Sequence, residues 1–278
     1  MKKISVLILT LVCMLYQNSF SQVLVQNDMT PDNTISAQPI NNYFNLKAGE
    51  SGSVNIYVSN KLPKKMQFNV YLSDWRRDSI GGHIYSEPGT ELRSCSRWLT
   101  LNTNFLEVDT GSVGVVTVKL QLPDSLEADK DMKWAMVFIE TIEVAKAPVT
   151  ANEMKSEIVP RTRFGIHINQ TPPGANFKEI KIIGFTQMEG KKDFFRIIGK
   201  NNGEVEMLCK SYIELSSTVS GKKFTVSPIQ VPLFPEQIRY FDFQLPTNLP
   251  KGKYTMIGVI DPGDDLDIEA AQISINIE

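Results

Sequence analysis

The chain has 278 residues, 42% of them hydrophobic and 22% charged, with a formal net charge of −2. That length accommodates two domains of ordinary size, and the composition is that of a packed globular protein rather than a disordered chain. The weak negative charge excludes the basic stripe of a nucleic-acid binder, and a total of two histidines, His83 and His167, excludes a His-rich metal centre within one chain.

The N-terminus has the layout of a cleaved signal peptide. Lys2 and Lys3 form a positive n-region, Ile4 to Tyr16 an apolar h-region, and Ser19 and Ser21 supply the small residues of a cleavage site before Gln22. The apolar run is too short to span a bilayer comfortably. Cys13 lacks the preceding small residue of a bacterial lipobox, and no later stretch is apolar enough to cross a membrane. The expectation is export to the periplasm or cell surface, with residues 1–21 removed and no transmembrane segment in the mature chain.

Beyond the leader the dominant period is two. Val54, Ile56 and Val58 alternate with Ser53, Asn55 and Tyr57; Phe68, Val70 and Leu72 alternate with Gln67, Asn69 and Tyr71; Val116, Val118, Leu120 and Leu122 alternate with Thr117, Lys119 and Gln121. Strands with one buried and one wet face read this way. Glycine and proline turns separate them, which points to a sandwich rather than a βαβ fold. Trp134 to Ile139 is apolar on both faces, as in a central strand covered on both sides or an exposed strand awaiting a partner.

Residues 145–157 are poor in apolar side chains and read as a long loop. A strand then runs from Ile158 to Asn169, and Gln170-Thr171-Pro172-Pro173-Gly174 breaks it. Domain 1 is therefore placed at 22–170 and domain 2 at 171–278. In the second half, strands are expected at 177–185, 193–199, 205–215, 238–245, 254–260 and 271–277, with a tight turn at Asn201-Asn202-Gly203. About six strands in that length match an immunoglobulin-like domain. The fold class expected is all-β, two immunoglobulin-like β-sandwiches in tandem.

No nucleophile elbow, phosphate-binding glycine loop or metal-binding helix motif is present, so the chain is read as a non-enzyme without a cofactor. His83 follows two glycines and reads as a solvated loop residue; His167 falls on the polar face of its strand. Cys95 and Cys209 remain after cleavage, either as buried thiols or as an interdomain bridge. Asp261, Asp264, Asp265 and Asp267 crowd one turn, either as solvated carboxylates or as a weak calcium candidate. Arg161 and Arg163 share a strand face and can clamp a carboxylate or keep an edge soluble. Trp75, just before Arg76-Arg77, reads as partly exposed and is a candidate for stacking on a sugar.

Tyr43-Phe44-Asn45-Leu46-Lys47-Ala48-Gly49-Glu50, followed by the strand at Val54 to Asn60, Met66 to Asp74, Gly82-His83-Ile84-Tyr85, Ser96-Arg97-Trp98-Leu99, Val116 to Pro123 and Trp134 to Glu140, resembles the N-terminal, peptidoglycan-binding-type domain of WxL-interacting surface proteins. More distantly, the chain resembles the periplasmic pilus chaperones. Both are immunoglobulin-like. The first resemblance implies a wall- or glycan-binding module, and the second a two-domain factor that holds a subunit's terminal carboxylate with a basic pair in the interdomain cleft. The leading expectation is an assembly factor binding envelope or surface protein subunits by strand addition or through the cleft. The alternative is a peptidoglycan- or glycan-binding module using Trp75 or Tyr71.

Overall fold

The computed structural model describes residues 34–142, 161–263 and 266–278. The leader, the 145–157 loop and the start of the strand at Ile158 lie outside the described residues. Ten strands come first: β1 (Ile35–Gln38), β2 (Asn41–Phe44), β3 (Ser51–Asn60), β4 (Met66–Arg77), β5 (His83–Ser86), β6 (Leu99–Leu101), β7 (Phe105–Val108), β8 (Ser112–Gln121), β9 (Lys133–Ile142) and β10 (Arg163–Gln170). Seven follow: β11 (Ile180–Gln187), β12 (Phe194–Asn201), β13 (Met207–Ser217), β14 (Lys223–Leu233), β15 (Ile238–Gln244), β16 (Gly252–Asp261) and β17 (Glu269–Ile277). One short helix, α1 (Leu126–Lys130), precedes β9.

These strands form two sandwiches. In the first, a sheet ordered β1-β3-β8-β6 faces one ordered β2-β10-β9-β4-β5, with β7 also paired to β4. In the second, β11-β12-β15 faces β14-β13-β16-β17. Each encloses its own apolar core. Ile56, Val118, Val137 and Ile168 belong to the first, and Ile197, Ile213, Phe241 and Met256 to the second. The period-two patterns thus do what they predict: Ile56 and Val58 of β3 and Val116, Val118 and Leu120 of β8 point inward, while Asn55, Tyr57, Lys119 and Gln121 face outward.

Asn60 and Asn201 end β3 and β12 with the same device. Asn60 Nδ2 donates to the carbonyls of Lys64 at 2.8 Å and Val108 at 3.0 Å, while its Oδ1 accepts from the Leu62 amide. Asn201 Nδ2 donates to Val205 and Leu233, each at 2.9 Å, and its Oδ1 accepts from the Gly203 amide. Both side chains are buried and fully satisfied, the condition under which a buried amide stabilises.

Strand β14 has no counterpart among the strands expected from sequence. Pro228 and Pro232 interrupt its pattern. It lies at a sheet edge, where a residue without an N–H is tolerated because its nitrogen can point outward. Strand β2 was equally hidden: it pairs in parallel with β10, His167–Gln170 against Asn41–Phe44, a contact no local pattern encodes.

Strand β9 resolves the doubly apolar segment as a covered strand. Ala135, Val137 and Ile139 fill the inner core, while Trp134, Met136 and Phe138 belong to a second cluster with Trp75, Met132 and Phe234 on the outer face of the sheet. Cys95 and Cys209 are free and buried, one in each sandwich core, so the bridge between them is ruled out. Burial pushes both thiols up from their ordinary range, the state of inert structural cysteines.

Candidate binding site: a cleft and an open strand edge

The outer face of the six-stranded sheet meets the second sandwich at an aromatic cluster. Ser73 of β4 lies opposite Met136 of β9, and continuing that register sets Trp75 beside Trp134. Trp134 Nε1 donates to the Trp75 carbonyl at 2.9 Å. Phe234, from the β14–β15 turn, packs edge-on against Trp75, with ring centroids 4.9 Å apart, and against Trp134 at 5.0 Å. The turn carrying Phe234 is itself fixed. Gln237 Oε1 accepts from the Phe234 amide, and the Glu236 amide donates to the Asn201 carbonyl at 2.8 Å.

Trp75 is 1% exposed. The expectation of partial exposure is therefore wrong, and no face of this indole is open to a sugar ring. Its place just before Arg76-Arg77 suggested a wet position, but Phe234 of the second sandwich packs against it.

Beside this cluster lies a cleft of about 430 Å³ whose lining carries Arg76, Arg77 and Arg93 alongside Asp78, Glu91 and Glu236, within the size range of ligand pockets. A buried carboxylate positions one wall. Asp74 Oδ2 accepts from the amides of Thr90 and Glu91 at 2.8 and 2.9 Å, and its Oδ1 from the Ser94 hydroxyl at 2.6 Å. These bonds hold the 90–94 segment against β4 and bring Arg93 to the cleft. Arg93 Nη2 donates to Glu236 Oε1 at 2.9 Å, bridging the two sandwiches. The Tyr240 amide donates to the Ser79 carbonyl at 2.7 Å, a second bridge.

The cleft's arginines and carboxylates balance in number, yet several donors at the junction are left over. Trp75 Nε1, Arg77 Nε, Arg93 Nε, Gln237 Nε2, and Nε and Nη1 of Arg239 are buried donors without a protein acceptor among the described residues. Arg77 donates through Nη1 to the Gly81 carbonyl at 3.0 Å and forms no ion pair with a described carboxylate. Burial, and then the nearby Arg77 charge, lower the affinity of Arg239 for its proton. Gly81 has φ +95°, and a Cβ there would fall 2.0 Å from Arg239 Nη1, so only glycine lets that guanidinium pack beneath the turn.

The second element is an edge. Strand β10 pairs with β9 along its whole length, from Arg163 opposite Glu140 to Gln170 opposite Lys133. On its other side β2 covers only His167–Gln170. The His167 amide donates to the Ile40 carbonyl on that side, so the two-residue alternation of an antiparallel ladder turns the N–H and C=O of Arg163 and Gly165 the same way. Among the described residues nothing pairs with them.

Arg161 and Arg163 are exposed at the opposite end of β10 from the junction. Seven residues at roughly 3.3 Å each separate Arg163 from Gln170 by about 23 Å. They do not line the cleft. The Arg163 guanidinium instead lies over Phe138 at 4.3 Å and Tyr85 at 5.2 Å, and the Tyr71 hydroxyl donates to Glu140 at 2.6 Å. Asp261 Oδ1 accepts from the Gly263 amide at 2.9 Å, an ordinary turn bond, and Asp267 is exposed. Asp264 and Asp265 lie outside the described residues. Among the described residues no group of three or more metal-ligating side chains converges.

His83 and His167 also differ from expectation. Neither is a free surface residue. His83 opens β5 and stacks on Tyr85, and both imidazoles pack against Trp75, at 5.0 and 4.8 Å. Burial, and then the Arg77 charge, push the His83 imidazole below its ordinary range, and burial, with His83 and Arg77, pushes His167 down to about 4.

No protein family and no curated protein matches the chain by sequence. Among solved structures it is similar to one described as a chaperone–tip adhesin complex of CFA/I fimbriae biogenesis, with 14% identity and a TM-score of 0.48 over 87% of this chain and 98% of that one. It is also similar to the Pseudomonas aeruginosa CupB2 chaperone, at 12% and 0.42 over 87% and 100%, and to the E. coli chaperone DraB, at 12% and 0.44 over 88% and 96%. No helix of the described residues is long and apolar enough to cross a membrane.

Proposed function

We propose that this is an exported, non-catalytic assembly factor that holds an extended segment of an envelope or surface protein subunit. On this reading residues 1–21 are a cleaved signal peptide, 22–170 and 171–278 are the two domains, and the protein acts in the periplasm or at the cell surface. The observation that carries the proposal is the main chain of Arg163 and Gly165, which nothing pairs among the described residues. A strand laid along that edge gains main-chain hydrogen bonds at once, and the alternation of its side chains sets its register. The donor-rich cleft supplies the second half of the argument. Arg77, which forms no ion pair among the described residues, and the leftover N–H groups of Trp75, Arg93 and Gln237 suit an acceptor carrying negative charge, such as a peptide carboxylate, and charge-assisted bonds of this kind are the stronger ones. The pilus-chaperone resemblance implies the carboxylate contact in the cleft.

Substituting Arg163→Pro tests the edge. Proline is tolerated at the first residue of a strand but removes the outward N–H. The variant is expected to melt like wild type yet recover at least tenfold less subunit in pull-downs from envelope extract, whereas Arg163→Ala keeps the edge and retains capture. Equal recovery by wild type and Arg163→Pro would rule the edge out.

A further inference from the structure

We infer that His83, Trp75 and His167 form an acid-opened clasp on the junction between the two sandwiches. The inference rests on packing at the junction and does not depend on what the cleft binds. His167 stands on β10 and His83 on β5, in the same sheet but separated by β9 and β4. Their imidazoles lie 5.6 Å apart, and both touch Trp75. Trp75, with Trp134, meets Phe234 of the second sandwich. Any charge placed on this stack is therefore felt where the sandwiches join.

The charged groups around the stack come from several elements. Arg77 of β4 lies over the indole of Trp75 at 5.6 Å, and its charge reaches both histidines. Arg239 of β15 couples to Arg77 and faces Asp78 of the β4–β5 turn and Asp242. Tyr85 of β5 stacks on His83. Glu206, just before β13, is the acid whose field reaches Arg77 from the second sandwich, and Tyr43 of β2 faces it. Neutral imidazoles pack here as flat aromatic rings. Protonated, each adds a desolvated positive charge to a site that already holds two guanidiniums, and Coulomb repulsion at low dielectric is large. Burial holds Glu206 above the usual carboxylate range, so its compensating charge also fades as the pH falls.

His167 binds its proton less readily in the folded chain than in the unfolded one. The stability it contributes is complete above about pH 6.5 and is lost as the pH falls towards about 4. Glu206 works in the opposite sense, because it takes up its proton more readily when folded. Replacing each residue separately distinguishes the two.

The test follows the Tyr240 amide, which donates to Ser79 across the junction. Its hydrogen-exchange protection is measured in the mature chain at pH 7 and pH 4.5 and corrected for intrinsic exchange, with the Ile166 amide in the first core as reference. Wild type is expected to lose at least tenfold of the Tyr240 protection at pH 4.5 while Ile166 changes little. His167→Gln is expected to hold the Tyr240 protection constant, and Glu206→Gln to retain the loss. Protection of Tyr240 that does not change with pH in wild type, or that falls equally in His167→Gln, overturns the clasp. Should His167→Gln fail to fold, the wild-type imidazoles decide the matter by NMR titration. His167 titrating well below the ordinary histidine range supports the clasp, and titration near 6.5 overturns it.

Discussion

In the first sandwich, Asn60 closes a turn by bonding two carbonyls and one amide; in the second, Asn201 does the same with the same spacing. Their central strands diverge. β13 buries Met207, Cys209, Ile213 and Leu215 and leaves Leu208, Lys210 and Glu214 to solvent, whereas β9 buries both of its faces. A sandwich needs only one covered face of each sheet. The surplus apolar face of β9 therefore serves the contact with Phe234 rather than the fold of the first sandwich. The two halves share a folding device and differ in which of them prepares the junction.

The largest effect that could break this comparison is expected from Trp75→Ala. Removing a fully buried indole costs about 3–5 kcal/mol, read by urea unfolding, and should split one transition into two as the sandwiches uncouple. A loss under about 1 kcal/mol would mean that the outer cluster is mere cover. Asn60→Ala and Asn201→Ala come next. Each strands two carbonyls and an amide, for about 2–4 kcal/mol, and matched losses would sharpen the likeness of the two corners. The smallest effect is expected from Arg196→Ala in the second sandwich. Its two bonds to Asp242, at 2.6 and 2.8 Å, lie in an exposed pair, so the expected loss is below about 1 kcal/mol. A larger loss would show that the outer face of β12 matters as that of β9 does.

Most of the strands are legible in the sequence, because alternation is a local signal that burial of one face enforces. Trp134 to Ile139 also announced the second covered face. The rest needed three dimensions. Pro228 and Pro232 disguised β14, since a breaker in an interior strand is harmless at an edge. His83 was assigned to water by the two glycines before it, and His167 by an alternation that says which face it shares, not what covers that face. Arg76 and Arg77 stand next to Trp75 in the chain, but Glu236 reaches Arg93 across 143 positions, beyond any motif. Arg161 and Arg163 were sought at the junction because their strand leads there, yet they begin that strand rather than end it.

The prolines of β14 have one further consequence. A sheet rim that lacks amides at Pro228 and Pro232 cannot zip to a passing strand without gaps, while the rim at Arg163 and Gly165 keeps its full set. On the proposed reading, pairing with an added strand can begin at β10 but is discouraged at β14, so copies of the chain are poorly suited to polymerising with one another through these two rims.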